Sequence, residues 1–173
     1  MQRVATDMVV GNISKEPFVG SRPPRPMHDR FPGGGETGDL LRAQDWSRTP
    51  LGHPDAWPHA LTTLLQVMLN AGQPMFIAWG PQRTLLYNDG YSEMLGSQHP
   101  EAFAMPFFET WPEVRETVGS LMDRVFEGAP IHMDDLTLTL HRNGYPEETH
   151  FAFSYTQVPD GDGGIAGLFC ACT

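Results

Sequence analysis

Apolar positions recur along this chain at two different periods, and the change of period organises it. In "DAWPHALTTLLQVMLN", residues 55–70, Trp57, Leu61, Leu64, Leu65 and Met68 fall at helical spacing. Asp55 stands where a cap belongs, and Pro58 falls in the first turn, where a missing N–H is harmless. The pattern predicts an amphipathic helix over 57–70 whose stripe must bury against its own sheet or a second subunit. The period then drops to two. "MFIAW" alternates Met75, Ile77 and Trp79 against Phe76 and Ala78, "GPQ" turns the chain, and "RTLLYN" returns it as a second strand. "NDGYSEML" reads as a short helix capped by Asn88 or Asp89.

Gly96, Pro100 and Pro106 break "GSQHPEAFAMPFFET" into helical turns. In "TWPEVRETVGSLMDRVFEG" the helical period returns, with Val114, Val118, Leu121, Met122, Val125 and Phe126 on one stripe. Thr110 and Glu113 are spaced as a capping box, and Gly128 suits a left-handed stop. The last third alternates again: Leu136, Leu138 and Leu140 in "DLTLTL", then Phe151, Phe153 and Tyr155 in "THFAFSYTQV". "PDGDGG" then turns into "IAGLFCACT". A hairpin, a helical crossover and a three-strand meander predict an α+β domain. Its sheet is antiparallel and five-stranded, with the helices covering one face.

The first 38 residues carry neither period. Pro17, Pro23, Pro24, Pro26 and Pro32 and the run Gly33 to Gly35 make residues 1–38 a flexible tail by composition. Residues 39–72 then form an arm with the amphipathic helix, and residues 73–173 the main domain. Five basic and four acidic side chains give the tail +1. With −10 for the whole chain, residues 39–173 carry −11, which argues against nucleic acid and anionic membrane surfaces as partners. The two cysteines, Cys170 and Cys172, are too close along a strand for an unstrained disulfide, which favours a reducing, cytoplasmic setting. No apolar run approaches the roughly 18 residues of a membrane span.

"LLYNDGYSEMLG" resembles the second strand and first helix of the PAS family, with Asn88 at the cap and Leu95–Gly96 at the following step. "RNGYPEETHFAFSYTQVPDGDGGIAGLF" is similar to that family's last three strands, and "DWSRTPLGHPDAWPHALTTLLQVMLN" resembles the leader ahead of such domains in bacterial sensor histidine kinases. The resemblance covers residues 45–173. It implies a non-catalytic sensory module of a two-component system, with a ligand site between the sheet's covered face and the crossover helices. The aromatic and sulfur side chains that could line it are Trp79, Tyr87, Tyr91, Phe107, Trp111, Met122, Phe126, Phe153, Tyr155 and Phe169. They suit a small apolar or aromatic ligand. The family's dimers imply a homodimer through Trp57, Leu61, Leu64, Leu65 and Met68, and a relay through the last strand to an output domain.

Candidate chemistry changes this picture little. "GDGGIAG" lacks the spacing of a phosphate loop and leads into a strand, and neither a P-loop nor a nucleophile elbow occurs. His132, Asp134 and Asp135 in "HMDD" make at most half a metal site, so no metal is expected. His141 and His150 flank one turn. Cys170 and Cys172 share a face with Leu168 and read as small buried hydrophobes. No flavin-type "NCRFLQ", no His within 110–128 for haem and no Cys in the crossover for a chromophore is present, which leaves the cofactor unknown. Two rival functions stay open: a ligand-free interaction adaptor, and a small acid–base enzyme using Asp89, His132 or Glu147.

Overall fold

The computed structural model describes Pro23 and residues 25–173. In chain order it contains α1 (Met27–Arg30), α2 (Gly35–Ala43), α3 (His59–Leu69), β1 (Met75–Trp79), β2 (Thr84–Tyr87), α4 (Asp89–Leu95), α5 (Phe107–Thr110), α6 (Arg115–Phe126), β3 (Ile131–Leu140), β4 (Glu147–Pro159) and β5 (Ile165–Cys172). The strands form one antiparallel sheet in the order β2-β1-β5-β4-β3. The hairpin and the meander therefore meet at β5, the central strand, which pairs β1 on one side and β4 on the other. The α+β, five-stranded architecture expected from the alternation is the one observed.

One face of the sheet carries the crossover. Phe76 of β1, Phe153 and Tyr155 of β4, and Cys170 and Cys172 of β5 are buried there against α4, α5 and α6. Because side chains alternate, Ile77 and Leu86 point to the opposite face, yet both are fully buried. The cover on that side is α3. Trp57, two residues ahead of α3, shares a groove with Trp79 and Thr84 at the hairpin's tip, and the last turn of α3 receives a hydrogen bond from Asn88 beyond β2. Trp57, Leu61, Leu65 and Met68, the residues expected at a dimer interface, are buried within the single chain in one core cluster with the hairpin residues. Leu64 is half-buried against the same core.

Several local expectations fail for identifiable reasons. Asp55 does not cap α3, which starts at Pro58 without a side-chain cap; its carboxylate pairs with Arg30 at 2.9 Å instead. Thr110 and Glu113 form no capping box, because Pro112 starts a separate 3-10 turn and α6 begins only at Arg115. Glu113 accepts from the His141 backbone N–H at 3.0 Å, tying the crossover to the end of β3. Gly128 does end α6 as expected: at φ +100° it donates to the Val125 carbonyl while Ala129 donates to that of Arg124.

The largest correction concerns the N-terminal segment. Residues 1–22 and Pro24 of the expected tail lie outside the described residues, but the stretch from Met27 to Gly38 is folded. Phe31 is fully buried and stacks on Trp57, with ring centroids 5.9 Å apart. Gly33, Gly34 and Gly35 all take positive φ, +75°, +80° and +55°, which turns the chain sharply into α2. A glycine run that reads as flexible is here a conformational requirement.

Candidate functional site

The strand-to-helix step at "YND" is a structural hub. Asn88 is fully buried and all of its side-chain valences are used. Its Oδ1 accepts from the backbone N–H groups of Met75 (3.0 Å) and Tyr91 (3.1 Å). Its Nδ2 donates to the carbonyls of Met68 (3.1 Å), Ala71 (3.1 Å) and Gln73 (2.8 Å). Asn88 thus caps α4 and, in the same act, holds the α3–β1 connection. Asp89 turns the other way and caps a different helix: its carboxylate accepts from Glu36 N (3.2 Å), Thr37 N (2.8 Å) and Thr37 Oγ1 (2.7 Å), the first turn of α2. Burial alone would raise the Asp89 carboxyl, but these hydrogen bonds, aided by nearby His99, hold it below its ordinary value.

The site lies across the sheet from α3. An apolar cavity of about 60 Å³ lies between β1, β4 and β5 on one side and α4, α5 and α6 on the other. Phe76, Phe153, Tyr155, Cys170 and Cys172 of the sheet form its floor, and Met94, Phe107, Trp111 and Val118 of the helices its roof. Val114 also lines it. Leu140 of β3 is buried along its wall, while Met94, Leu138 and Phe151 are only half-buried and mark the side nearest solvent.

Polar groups in it are few. Trp111 Nε1 donates to the Tyr91 hydroxyl at 3.2 Å. Cys172 Sγ donates to the Pro74 carbonyl at 3.5 Å and lies 3.8 Å from Met94 Sδ. Burial pushes Tyr91, Tyr155 and Cys170 well above their ordinary values, so all three are neutral at ordinary pH. Among the described residues, no carboxylate, imidazole, lysine or arginine lines the cavity.

Of the ten residues named from the sequence, the cavity brings together Tyr91, Phe107, Trp111, Phe153 and Tyr155. The other five lie elsewhere. Trp79 is on the α3 side of the sheet. Tyr87 backs onto Tyr91 and hydrogen-bonds His99 Nδ1 at 2.8 Å; burial, then the charges of Glu101 and Glu36, raise its phenol. Met122 is buried in α6 outside the lining, and Phe126 lies under the Arg83 guanidinium. Phe169 faces away from the cavity, since its neighbours Leu168 and Cys170 point inward. Sequence reasoning named aromatics and passed over the aliphatic and sulfur lining; the alternation of β4 and β5 held the signal, because Phe151 and Cys170 share parity with the named Phe153 and with Cys172.

The residues considered for acid–base or metal chemistry are not assembled. Asp89 serves α2, Glu147 pairs with Arg142 at 3.1 Å, and His132 contacts Ser154 and Asp134 on the exposed face. His150 pairs with Asp135 at 3.0 Å, which raises its imidazole, and not with His141. Among the described residues no three His, Cys, Asp or Glu side chains converge as a metal set, and no helix is long and apolar enough to cross a membrane.

A five-stranded antiparallel sheet of this order, with a helical crossover closing over an apolar cavity, defines a sensory α+β class. The chain belongs to the PAS fold family, whose profile matches residues 69–173. The PAS domain of Bordetella pertussis BvgS is similar at 21% identity and a TM-score of 0.54, over 66% of this chain and 85% of that one. A variant of RsLOV superposes with a TM-score of 0.51 at 13% identity, over 66% of each chain. No curated protein matches the sequence. At these identities the structural likeness speaks for the fold alone.

Proposed function

We propose that this chain is the signal-input module of a bacterial sensor protein, of the kind that precedes a histidine kinase, and that the apolar cavity is its input site. The observation that carries this reading is the position of β5. It is the central strand, it contributes Cys170 and Cys172 to the cavity, and it pairs with both halves of the sheet. A change in cavity contents therefore reaches both sheet halves through one element, and from there an output domain.

The cavity's size restricts the occupant. About 60 Å³ exceeds the roughly 10–15 Å³ that one water needs but is far below the roughly 300–1,000 Å³ of drug-sized ligand sites. The aromatic ligand suggested by the lining is therefore too large for the cavity as it stands, and an occupant of a few heavy atoms fits. Native mass spectrometry of freshly purified chain, with an absorption spectrum of the same sample, tests this. The expected result is a bare chain or a very small mass increment, without colour. A coloured adduct of several hundred daltons would contradict the reading.

A further inference from the structure

We propose that Met94, Cys170 and Cys172 form a binding site for a soft monovalent d10 cation, with Cu(I) the member of that class to test. Three sulfurs line the cavity. Cys170 and Cys172 alternate onto the same face of β5 and both line the cavity, and the Cys172 Sγ to Met94 Sδ distance is 3.8 Å. Metal–thiolate bonds are roughly 2.3 Å long, which sets three trigonal sulfur donors about 4 Å apart. The Cys172–Met94 spacing already suits a shared ion.

The donor chemistry selects the class. Thiolate and thioether are soft ligands and favour Cu(I). Calcium and magnesium favour carboxylate and carbonyl oxygen, and structural zinc takes four nitrogen or sulfur ligands; among the described residues the cavity offers no carboxylate and three sulfurs. Size agrees, since a single ion needs little of the 60 Å³. Loading is a ligand exchange without redox change: two S–H bonds break, Cu–S bonds to Cys170 and Cys172 form with Met94 as third donor, and two protons leave to solvent. The centre then carries one net negative charge in apolar surroundings.

Two phenols are placed to offset that charge. Tyr155 is only 4% exposed and its hydroxyl has no hydrogen-bond partner among the described residues. The Tyr91 hydroxyl accepts from Trp111, leaving its own proton to donate. Tyr155 pairs with Cys170 across β4 and β5, and hydrogen bonds to ligating sulfur are the usual outer support of such centres. Half-buried Met94 supplies the way in from the solvent side. The inference deepens the reading of the cavity as an input site and rests on it for what the ion would signal; the binding itself stands on the sulfur donors.

The test is an anaerobic titration of the whole chain with Cu(I) in competition with bicinchoninate. One equivalent should be withdrawn from the chelator. Cys170→Ser and Cys172→Ser should each weaken binding by about 100-fold or more, and Tyr155→Phe by roughly 10–100-fold, as outer partners of metal ligands do. Unchanged affinity in the doubly substituted chain, or Zn(II) bound equally well, would overturn the site. Should the serine variants not fold, Cu(I) must protect both cysteines of the unaltered chain from iodoacetamide; equal labelling with and without Cu(I) would overturn it too. Amide exchange of β5 in the same samples separates the two claims. Cu(I) bound at one equivalent with β5 unchanged supports the site while refuting the relay.

Discussion

At the residue scale the structure turns on a dipeptide. Asn88 and Asp89 are adjacent, yet one satisfies five backbone groups around β1, α3 and α4 while the other caps α2 from outside it. Asn88→Ala leaves buried carbonyls and N–H groups without partners, each worth about 1–3 kcal/mol. We expect a loss of about 3 kcal/mol or more in urea unfolding. Asn88→Asp should fail similarly, because it keeps the acceptor and loses the donor that three carbonyls need; a near-neutral result would show that solvent replaces these bonds. Asn88 was legible in the sequence as a cap. Its other contacts were not, because they come from a loop thirteen to twenty positions upstream that no local pattern connects to it.

At the element scale the question is what docks α2. Asp89→Ala removes an outside N-cap and should cost about 1 kcal/mol, seen as faster amide exchange at Glu36 and Thr37 with β5 unaffected. The pH dependence has a definite sign. The folded-state carboxyl is depressed, so its contribution is present above the ordinary Asp pKa of about 3.9 and is lost as pH falls through the lowered value. Acidification below about pH 4 should therefore release the first turn of α2, and Asp89→Asn, which keeps an acceptor without the charge, should flatten that response. Exchange at Thr37 that ignores both pH and substitution would contradict the cap. The sequence hid this element behind "PGGG". Composition marks glycine as flexible, whereas three positive φ values in succession are what bring α2 round to meet Asp89. The strands, by contrast, were largely legible, because alternation is a local signal that tertiary packing preserves; the exception is β3, which starts at Ile131 ahead of "DLTLTL", where a bulge between Met133 and Leu136 breaks the alternation.

Across the whole molecule, one chain covers both faces of its hairpin. Leu65 is fully buried without any second subunit. Leu65→Ala should cost about 2–5 kcal/mol, with a urea midpoint that does not move with protein concentration; a concentration-dependent midpoint would restore α3 to a dimer interface. The sequence could not decide this, since an amphipathic stripe looks the same whether its partner is a sheet or a subunit. It also could not choose the cavity's lining, because that depends on which parity of each strand faces the crossover. Trp79 and Phe169 fell on the wrong face for that reason.

The central claim is that the cavity's contents are read by β5. The most direct measurement is an NMR titration of the chain with dissolved xenon, which enters dry apolar cavities, with amide exchange followed across the sheet. The account predicts shifts at Val118, Leu138 and Phe153, which line the cavity, and altered protection along Ile165–Cys172. Shifts confined to the exposed face of β3, or a filled cavity with β5 protection unchanged, would contradict it.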